Sequence, residues 1–347
     1  MLHEAQREAP VIVPAPGVPP QAATGAGAVF IVGMPRSGTK LLRGLLNQSP
    51  GMRVLDIETN FFPFLARWVC EHGEPHEEGE FERLYEALRN APYFSHRAAD
   101  RPFSWQEWRQ WCATCDAGGL FEGFVRYETG TRRDEHVMWG DKSPAYIRHI
   151  DLLLQHFPDA RIVHIVRDVR DHCVSMRRAW HKDVRRAAYQ WGRDVAAAHR
   201  TCIAQPQRCI EVSYENLLRT PQTELSRLCA FLDLQYSDAM TRLHKPAEPA
   251  RGGGRPEGAT EIVQNNFGKY MQRLRPREIR DVESLAFDTM RALGMQPLYA
   301  RRQRSMGRIE QTLRRLKDAV HLVSNARGKL GLGGALRFHL THGRLAH

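Results

Sequence analysis

The segment Gly33-Met-Pro-Arg-Ser-Gly-Thr-Lys40 concentrates residues that can bind an anion. It follows the β-branched and aromatic run 29–32 and precedes leucines at helical spacing, which predicts a strand, a loop and a helix. In this arrangement the backbone N–H groups and the helix dipole face a phosphate, and Arg36 adds a permanent, forked cation. The loop is therefore a predicted phosphate site, and its binding residues are Arg36, Ser37, Gly38, Thr39 and Lys40.

The loop departs from that of the nucleotide kinases, which reads G-x-x-x-x-G-K-[ST]. Thr39 and Lys40 stand in the inverted order, so the lysine comes one position late and the hydroxyl that would bind Mg²⁺ is displaced. An ATP-dependent kinase stays open as a rival and needs an acidic metal ligand at a strand end. Asp168 is the candidate for that ligand, although its position fits a helix cap better.

The residues Pro35–Thr39 resemble the 5′-phosphosulfate loop of the PAPS-dependent sulfotransferases. These enzymes move a sulfuryl group from 3′-phosphoadenosine 5′-phosphosulfate (PAPS) to an acceptor and release PAP. The stretch Ile165–Ser175 is similar to the family's 3′-phosphate motif, in which an Arg at a strand end and a Ser eight residues later share the phosphate. The resemblance implies these roles for Arg167 and Ser175, with Ser175 about two turns into the following helix.

Two further segments resemble parts of the same family. Residues 212–217 are similar to its Tyr-Glu-x-Leu segment, whose Tyr often lies near the nucleotide, although a Tyr after a buried strand is commonly a core residue. Residues 267–269, Phe-Gly-Lys, are predicted to close over the nucleotide. These segments add Tyr214, Gly268 and Lys269 to the predicted nucleotide-binding residues.

Sulfuryl transfer to a hydroxyl needs a base for the acceptor proton and cations for the charge that develops on the leaving phosphate. Glu58 lies in a stretch similar to the Glu-x-x-Phe-Phe of heparan sulfate sulfotransferases and the Glu-Thr of tyrosylprotein sulfotransferases, where that Glu is the base. Lys142 lies in a stretch that resembles the Lys-Ser/Thr-Pro-Ala-Tyr segment of the carbohydrate enzymes. The resemblance implies Glu58 as base, Lys142 and Arg36 as stabilising cations, and no metal. The simpler alternatives are that Glu58 caps a helix and that Lys142 is solvated.

The sequence also departs from one branch of the family. Arg36 stands where the cytosolic small-molecule sulfotransferases usually carry Lys, and no convincing counterpart of their catalytic histidine is present. Both departures favour the branch with a carboxylate base. The acceptor stays open between a carbohydrate, a peptide tyrosine and a small-molecule or lipid hydroxyl. A non-catalytic nucleotide-binding or nucleic-acid-binding protein stays open as a second rival.

Short apolar strands alternate with helical segments along most of the chain. The predicted strands lie near 29–32, 53–55, 137–139, 161–166 and 210–212, and the aromatic, helical stretch 61–127 is predicted to be an insertion after the second strand. The alternation predicts an α/β fold, a single P-loop-like domain whose central parallel sheet carries helices on both faces. One last regular helix is predicted to place Ile279, Val282, Ala286, Met290 and Leu293 on one face.

Composition divides the chain into a predicted flexible leader (1–28), a sulfotransferase domain (29–297) and a basic amphipathic helical tail (298–347). Most of the formal net charge of +11 lies in residues 300–347, which hold 11 Lys and Arg against two acidic residues. The nearly neutral body argues against a nucleic-acid partner. For the tail, packing on its own domain, self-association and contact with an anionic membrane all stay open. Glycines at 252–254 and 258 predict a mobile loop.

Seven cysteines without a regular framework predict reduced thiols. Cys112 and Cys115 form a lone C-x-x-C, which predicts helix packing rather than a zinc site. No apolar run has the length of a membrane span, and no signal peptide is recognised, so the predicted location is the cytoplasm.

Overall fold

The structure, a computed structural model, describes residues 27–97, 102–243 and 262–326. The predicted leader, apart from its last two residues, lies outside the described residues, and so does the predicted glycine-rich loop at 252–258. The last part of the predicted tail, 327–347, also lies outside them.

Within the described residues, five parallel strands form the centre of the fold: Ala28–Gly33 (β1), Met52–Val54 (β2), Met138–Lys142 (β3), Arg161–Val166 (β4) and Cys209–Ser213 (β5). Their order in the sheet is β2-β3-β1-β4-β5. The most apolar strand, β1, lies in the middle, where each of its residues is buried. Because neighbouring parallel strands end at the same edge, the loops after β1, β3 and β4 meet there.

Helices cover both faces of the sheet and fill the connections. They are Thr39–Leu46 (α1), Phe62–His72 (α2), Glu78–Leu88 (α3), Pro92–His96 (α4), Trp105–Trp111 (α5), Ala117–Thr129 (α6), Ile150–His156 (α7), Val169–Trp180 (α8), Val184–Ala204 (α9), Tyr214–Arg219 (α10), Pro221–Phe231 (α11), Tyr270–Arg273 (α12), Pro276–Leu285 (α13), Phe287–Ala292 (α14) and Arg308–Ala326 (α15). Short 3₁₀ helices span Pro144–Arg148 and Asp238–Thr241. The helices α2 to α6 form the predicted insertion between β2 and β3.

The alternation of side chains along β1 separates two cores. Phe30 and Val32 face the insertion, where they join an aromatic core that includes Phe61, Phe62 and Phe121. Val29 and Ile31 face the other side and pack against α1, α10 and α11, through side chains that include Leu42, Leu45, Leu217 and Leu225. The α/β fold with helices on both faces of a parallel sheet is thereby confirmed.

The single last helix predicted from the sequence is wrong, because the structure contains two short helices that meet at Ala286. That residue has φ −123° and ψ 13°, outside helical geometry. The backbone of α9 comes close at this point: a Cβ on Gly192 would lie 3.1 Å from the Leu285 carbonyl oxygen. Thr289 donates to the carbonyl oxygen of Gly192 at 2.8 Å. A tertiary contact that no local pattern encodes therefore sets the break.

The prediction that all cysteines are reduced is also wrong, since the structure joins Cys202 and Cys209 in a disulfide. The last turn of α9 and the first residue of β5 are linked by a short turn, which brings the two sulfurs together. Cys112 and Cys115 stay free. The Sγ of Cys112 donates to the Trp108 carbonyl oxygen at 3.4 Å, in the packing role that the sequence predicts.

The helix α15 contacts α9 through its charged side. Arg314 pairs with Asp183 at 3.0 Å, and Asp318 pairs with Arg186 at 2.5 Å. The apolar side chains of Ile309, Leu313 and Leu316 are exposed instead. No helix within the described residues is long and apolar enough to cross a bilayer.

Candidate active site

The loop after β1 requires glycine at two positions. A Cβ on Gly33 would lie 2.5 Å from the Ile165 carbonyl oxygen, and a Cβ on Gly38 would lie 2.4 Å from Cδ2 of Tyr214. Gly38 also has φ +102°, which other residues rarely adopt. The loop can therefore pass close to β4 and α10 before α1 begins at Thr39, as the predicted strand, loop and helix require.

Several donors of this loop face the edge of the sheet. The helix α1 begins without a side-chain cap or an acidic residue in its first turn, so its first N–H groups favour an anion. Ser37 is fully buried, and its Oγ has no hydrogen-bond partner within the described part of the chain. Arg36 has φ +73°, an uncommon conformation for a residue with a Cβ. Thr39 is buried, whereas Lys40 is exposed.

The two predicted phosphate motifs meet at Arg36. Its Nε donates to Oγ of Ser175 at 3.3 Å, although 139 positions separate the residues. Nη1 of Arg167 donates to the Arg36 carbonyl oxygen at 3.0 Å, and Arg167 is buried. Burial, with the nearby Arg167, lowers the pKa of Arg36. Two guanidinium groups brought together in this way favour an anion between or beside them.

Tyr214 supports Arg167 from the neighbouring strand end. The Arg167 guanidinium lies 4.5 Å from the centroid of the Tyr214 ring, a cation–π distance. The Tyr214 hydroxyl accepts a hydrogen bond from Nδ2 of Asn266 at 2.7 Å. The Asp168 N–H donates to Glu215 at 3.0 Å. The Tyr-Glu segment therefore positions the strand end that carries Arg167.

Asp168 caps α8, as the sequence favours. Its carboxylate accepts from the backbone N–H of Arg170 at 2.8 Å and pairs with the Arg170 guanidinium at 2.6 Å. Both carboxylate oxygens are thus engaged within the cap. The metal-ligand role that a kinase would need at this position is not supported by this geometry.

Gly268 and Lys269 precede α12 and are tied to α8. Asp171 accepts backbone N–H groups from Gly268 at 2.5 Å and Tyr270 at 2.9 Å. Lys269 donates to Oδ1 of Asn266 at 2.5 Å. Burial raises the pKa of Asp171, and burial with nearby Arg167 lowers that of Lys269. The segment is held beside the Arg167 cluster, where the sequence predicts it.

A pocket of about 520 Å³ opens between α8 and α12. Its wall contains four cationic residues and two others: Arg177, Arg178, Lys269, Arg273, Val174 and Gln272. Lys269 in this wall is near enough to Arg167 for that arginine to lower its pKa, so the pocket lies near the nucleotide cluster. Positive charge at this density attracts a small, highly charged ligand.

The two predicted catalytic residues contact each other. Nζ of Lys142 lies 2.5 Å from Oε1 of Glu58, across 84 positions of sequence. Lys142 is fully buried at the end of β3, while the Glu58 side chain is 35% exposed. The following helix α2 has no side-chain cap. Glu58 is therefore not a helix cap, and Lys142 is not solvated.

The loop that carries Glu58 is fixed to the end of β3. Thr59 N–H donates to Asp141 at 3.3 Å, and Asn60 N–H donates to Oγ of Ser143 at 3.2 Å. The hydroxyl of Tyr146 lies 2.7 Å from that of Thr59 and accepts from the Phe62 N–H at 2.9 Å. These bonds restrict where the Glu58 carboxylate can point.

Burial shifts the titration of the groups around this pair. It lowers the pKa of Lys142, against the opposing effect of Glu58. It raises the pKa of the fully buried Asp141 to about 6. Lys142 lies opposite Ile31 in the sheet, and Ile31 is two residues before Gly33. The pair of Glu58 and Lys142 therefore stands beside the start of the phosphate loop.

Sequence reasoning missed several residues of the site. Asp171 and Tyr146 lie inside the motifs that carry Arg167 and Lys142, but their residue types do not reveal their contacts. Asn266 gives no signal because its partners are distant in sequence. His172 is fully buried beside the phosphate loop, where burial and the nearby Arg167 lower its pKa to about 3. A neutral imidazole at this point adds no charge to the two arginines.

Comparison with known proteins decides the family. A family model described as "Sulfotransferase family" matches residues 28–238, which is more than half of the chain. The chain belongs to the sulfotransferase family. This confirms the predicted family and enzyme class, a PAPS-dependent sulfotransferase.

Curated relatives are similar over most of the same region. The chain is 24% identical over 238 residues to protein-tyrosine sulfotransferase 1 of Danio rerio, covering 65% of this chain and 58% of that protein. It is 25% identical over 224 residues to the protein-tyrosine sulfotransferase of Drosophila melanogaster, covering 61% of this chain and 39% of that protein. The chain thus spans about half the length of these two relatives.

Solved structures share the fold. The sulfotransferase domain from the curacin biosynthetic pathway is similar with a TM-score of 0.53 and 18% identity, covering 78% of this chain and 99% of that one. The sulfotransferase domain from the Synechococcus PCC 7002 olefin synthase is similar with a TM-score of 0.50 and 24% identity, covering 78% and 96%. These likenesses support the α/β architecture.

Proposed function

We propose that this chain transfers a sulfuryl group from PAPS to a hydroxyl of an acceptor by in-line displacement, with Glu58 as the general base. The observation that carries the proposal is the 2.5 Å contact between Glu58 and Lys142 beside the phosphate loop. A carboxylate and an ammonium group from different strand ends supply the two functions that the reaction needs, a proton acceptor and a positive charge.

The residues around Arg36 suit the donor. The uncapped start of α1, the Oγ of Ser37 and the Arg36 guanidinium would hold the 5′-phosphosulfate, with Gly38, Thr39 and Lys40 shaping the loop. Arg167 and Ser175 would hold the 3′-phosphate. Tyr214, Gly268 and Lys269 lie around Arg167 and would border the same nucleotide.

Bound PAPS supplies the sulfuryl group and the leaving phosphate, and the protein supplies orientation, charge and proton transfer. Glu58 accepts the proton of the acceptor hydroxyl as that oxygen attacks. Lys142 and Arg36 stabilise the negative charge that develops on the leaving side. Because these cations carry the charge, the proposed reaction requires no metal. The partial exposure of Glu58 leaves access for an acceptor, while buried Lys142 is shielded from water.

The first acceptor class to test is a tyrosine hydroxyl in a peptide. The support is the similarity to the protein-tyrosine sulfotransferases of Danio rerio and Drosophila melanogaster. Incubation with radiolabelled PAPS and a panel of tyrosine peptides, oligosaccharides, phenols and hydroxylated lipids identifies the class. Label on the peptides alone supports tyrosine as the acceptor. Label on another class of compound would make that class the acceptor instead.

Calorimetry tests the donor independently of the acceptor. PAP, ATP and duplex DNA are titrated into the full chain with and without Mg²⁺. Tight PAP binding that is independent of Mg²⁺ supports the proposal. Mg²⁺-dependent ATP binding would favour the kinase alternative, and DNA binding without PAP binding would favour a nucleic-acid module.

A cytoplasmic location and a role for the tail belong to the same proposal. The exposed apolar side of α15, with Ile309, Leu313 and Leu316, would serve self-association or peripheral contact with a membrane. Light scattering of the full chain detects the first. Sedimentation with vesicles of anionic lipid, compared with neutral vesicles, detects the second.

A further inference from the structure

Five side chains with metal-binding chemistry gather between α9 and the sheet. His164 on β4 and Glu211 on β5 are partners in the parallel register. His199 and Cys202 stand three residues apart on α9 and therefore share a face of the helix. Cys209 is the first residue of β5 and is bonded to Cys202. None of these residues takes part in the phosphate loop or contacts Glu58.

Three of these five side chains have donor atoms close enough to share an ion. Nδ1 of His164 lies 3.0 Å from Oε1 of Glu211, and Nδ1 of His199 lies 2.7 Å from Oε2. The donor atoms of His164, Cys202 and Glu211 lie within 4.8 Å of one another. Ligands at about 2.0–2.3 Å from a tetrahedral zinc are roughly 3.5 Å apart, so small side-chain rotations complete the geometry.

His164 is the most deeply buried of these donors. Its side chain is fully buried, and its Nε2 has no hydrogen-bond partner among the residues that the structure describes. Because Nδ1 is the nitrogen that faces Glu211, it is the ligand atom that an ion shared with Glu211 would use. No feature of the proposed sulfuryl transfer uses this histidine.

We propose that Cys202, Cys209, His164 and Glu211 bind one zinc ion when the two cysteines are reduced. Two thiolates and an imidazole select zinc over magnesium or calcium. His199 is a positioning residue, because it holds the carboxylate oxygen of Glu211 that does not face the metal. In the proposed cytoplasmic location the thiols would be kept reduced.

The disulfide and the zinc site are alternative states of the same two sulfurs. A dithiol reductant breaks the bond between Cys202 and Cys209, forms two thiols and becomes a disulfide itself. Zinc then replaces the two thiol protons, which pass to solvent. The ion links α9 to β4 and β5. The same helix carries Trp191, whose indole N–H donates to the Arg167 carbonyl oxygen at 3.1 Å.

Metal content measures the proposal without any activity assay. The full chain is prepared in two forms, reduced with a dithiol and oxidised, incubated with ZnCl₂ and desalted. Elemental analysis by mass spectrometry is expected to find one zinc per reduced chain and none per oxidised chain. Replacement by Co²⁺ is expected to produce a thiolate-to-cobalt charge-transfer band and the strong visible absorption of a tetrahedral site, and both should vanish on oxidation.

Variants locate the ion. Cys202→Ser and Cys209→Ser are expected to lose the zinc, and Cys70→Ser, an exposed cysteine elsewhere, is expected to retain it. Cys112→Ser removes one cysteine of the C-x-x-C, which lies outside the proposed site, so this variant should also retain the zinc. The reduced and oxidised wild-type proteins give the answer even where a variant fails to fold. Zinc absent from the reduced wild type, or lost through Cys112→Ser alone, would overturn the proposal.

Discussion

The nucleotide side and the proposed catalytic pair differ in how the chain assembles them. Arg36, Arg167 and Tyr214 stand just after the ends of adjacent parallel strands, and Ser175 lies on the helix that follows β4. Each belongs to a short motif. Glu58 and Lys142 meet because hydrogen bonds hold the loop after β2 against the end of β3. The first region is a network of cations and donors, and the second is a single ion pair with partial access to solvent.

This difference separates binding from turnover. The nucleotide side contains at least two guanidinium groups, an uncapped helix and a basic pocket, so many groups would share the attraction for the donor. The proton transfer would depend on one carboxylate. Damage to the nucleotide side should therefore weaken binding, and damage to Glu58 should stop turnover while leaving binding intact.

The largest expected effect is that of Glu58→Gln on turnover. The amide keeps the shape but cannot accept the acceptor proton, so kcat should fall about 10²- to 10⁴-fold. Affinity for PAP should change little, because PAP lacks the sulfuryl group and the acceptor hydroxyl on which Glu58 acts. Initial rates with radiolabelled PAPS and calorimetry with PAP measure the two quantities. Glu71→Gln, an exposed carboxyl on α2, is the matched control. Full activity of Glu58→Gln would falsify the base assignment.

The next effect is that of Arg167→Lys on nucleotide affinity. Lysine keeps the charge but loses the fork that reaches the carbonyl oxygens of Arg36 and Asn266, and it loses the planar stack on Tyr214. Charge-assisted hydrogen bonds of this kind predict PAP binding about 10- to 100-fold weaker. At saturating PAPS, kcat should change much less.

Arg200→Lys on the exposed side of α9 is the control for this substitution. An unchanged dissociation constant for PAP in Arg167→Lys would show that Arg167 does not bind the nucleotide. A loss of kcat as large as that of Glu58→Gln would contradict the division between the two regions.

The sequence could predict the nucleotide side because its elements are local. A β-branched run, a glycine loop and a leucine-spaced helix place Arg36, and the strand end at Val166 places Arg167 and Ser175. Their meeting then follows from parallel neighbours that end at the same edge. The ties from Asp171 to Gly268 and from Asn266 to Tyr214 could not be predicted, because they join segments more than 50 positions apart and leave no periodic signal.

The same limit explains the two wrong predictions. The sequence around Ala286 has an uninterrupted helical pattern, and the break depends on the approach of Gly192 from another helix. The six residues between Cys202 and Cys209 contain no signal for pairing, which depends on how α9 packs on β5. Local pattern predicts elements, whereas the contacts between them decide where an element ends or a side chain finds its partner.

A smaller effect is expected from Gly38→Ala, which tests how tightly the loop is packed. The methyl group would meet the Tyr214 ring at 2.4 Å, in a backbone with φ +102°. Strain and crowding together should lower the free energy of unfolding by about 1–3 kcal/mol. Gly73→Ala is the matched control, since Gly73 has φ +85° but no atom within 4 Å of the added methyl group. Urea unfolding measures the free energy of unfolding of both variants, and the difference between their losses is the effect of crowding against Tyr214. Equal losses in the two variants would show that the Tyr214 contact is unimportant.

The smallest effect concerns pH and the carboxyl beside Lys142. Burial raises the pKa of Asp141 from the ordinary 3.8 to about 6, so between these values the folded chain binds a proton that the unfolded chain releases. Lowering the pH from 7 to 5 therefore increases the contribution of Asp141 to the free energy of unfolding, by about 1 kcal/mol. Asp141→Asn should remove that dependence, whereas Asp134→Asn on the exposed loop before β3 should keep it. Urea unfolding at both pH values measures the difference. If Asp141→Asn kept the wild-type dependence, Asp141 would titrate normally, and the loop of Glu58 would be anchored by a fully charged carboxylate.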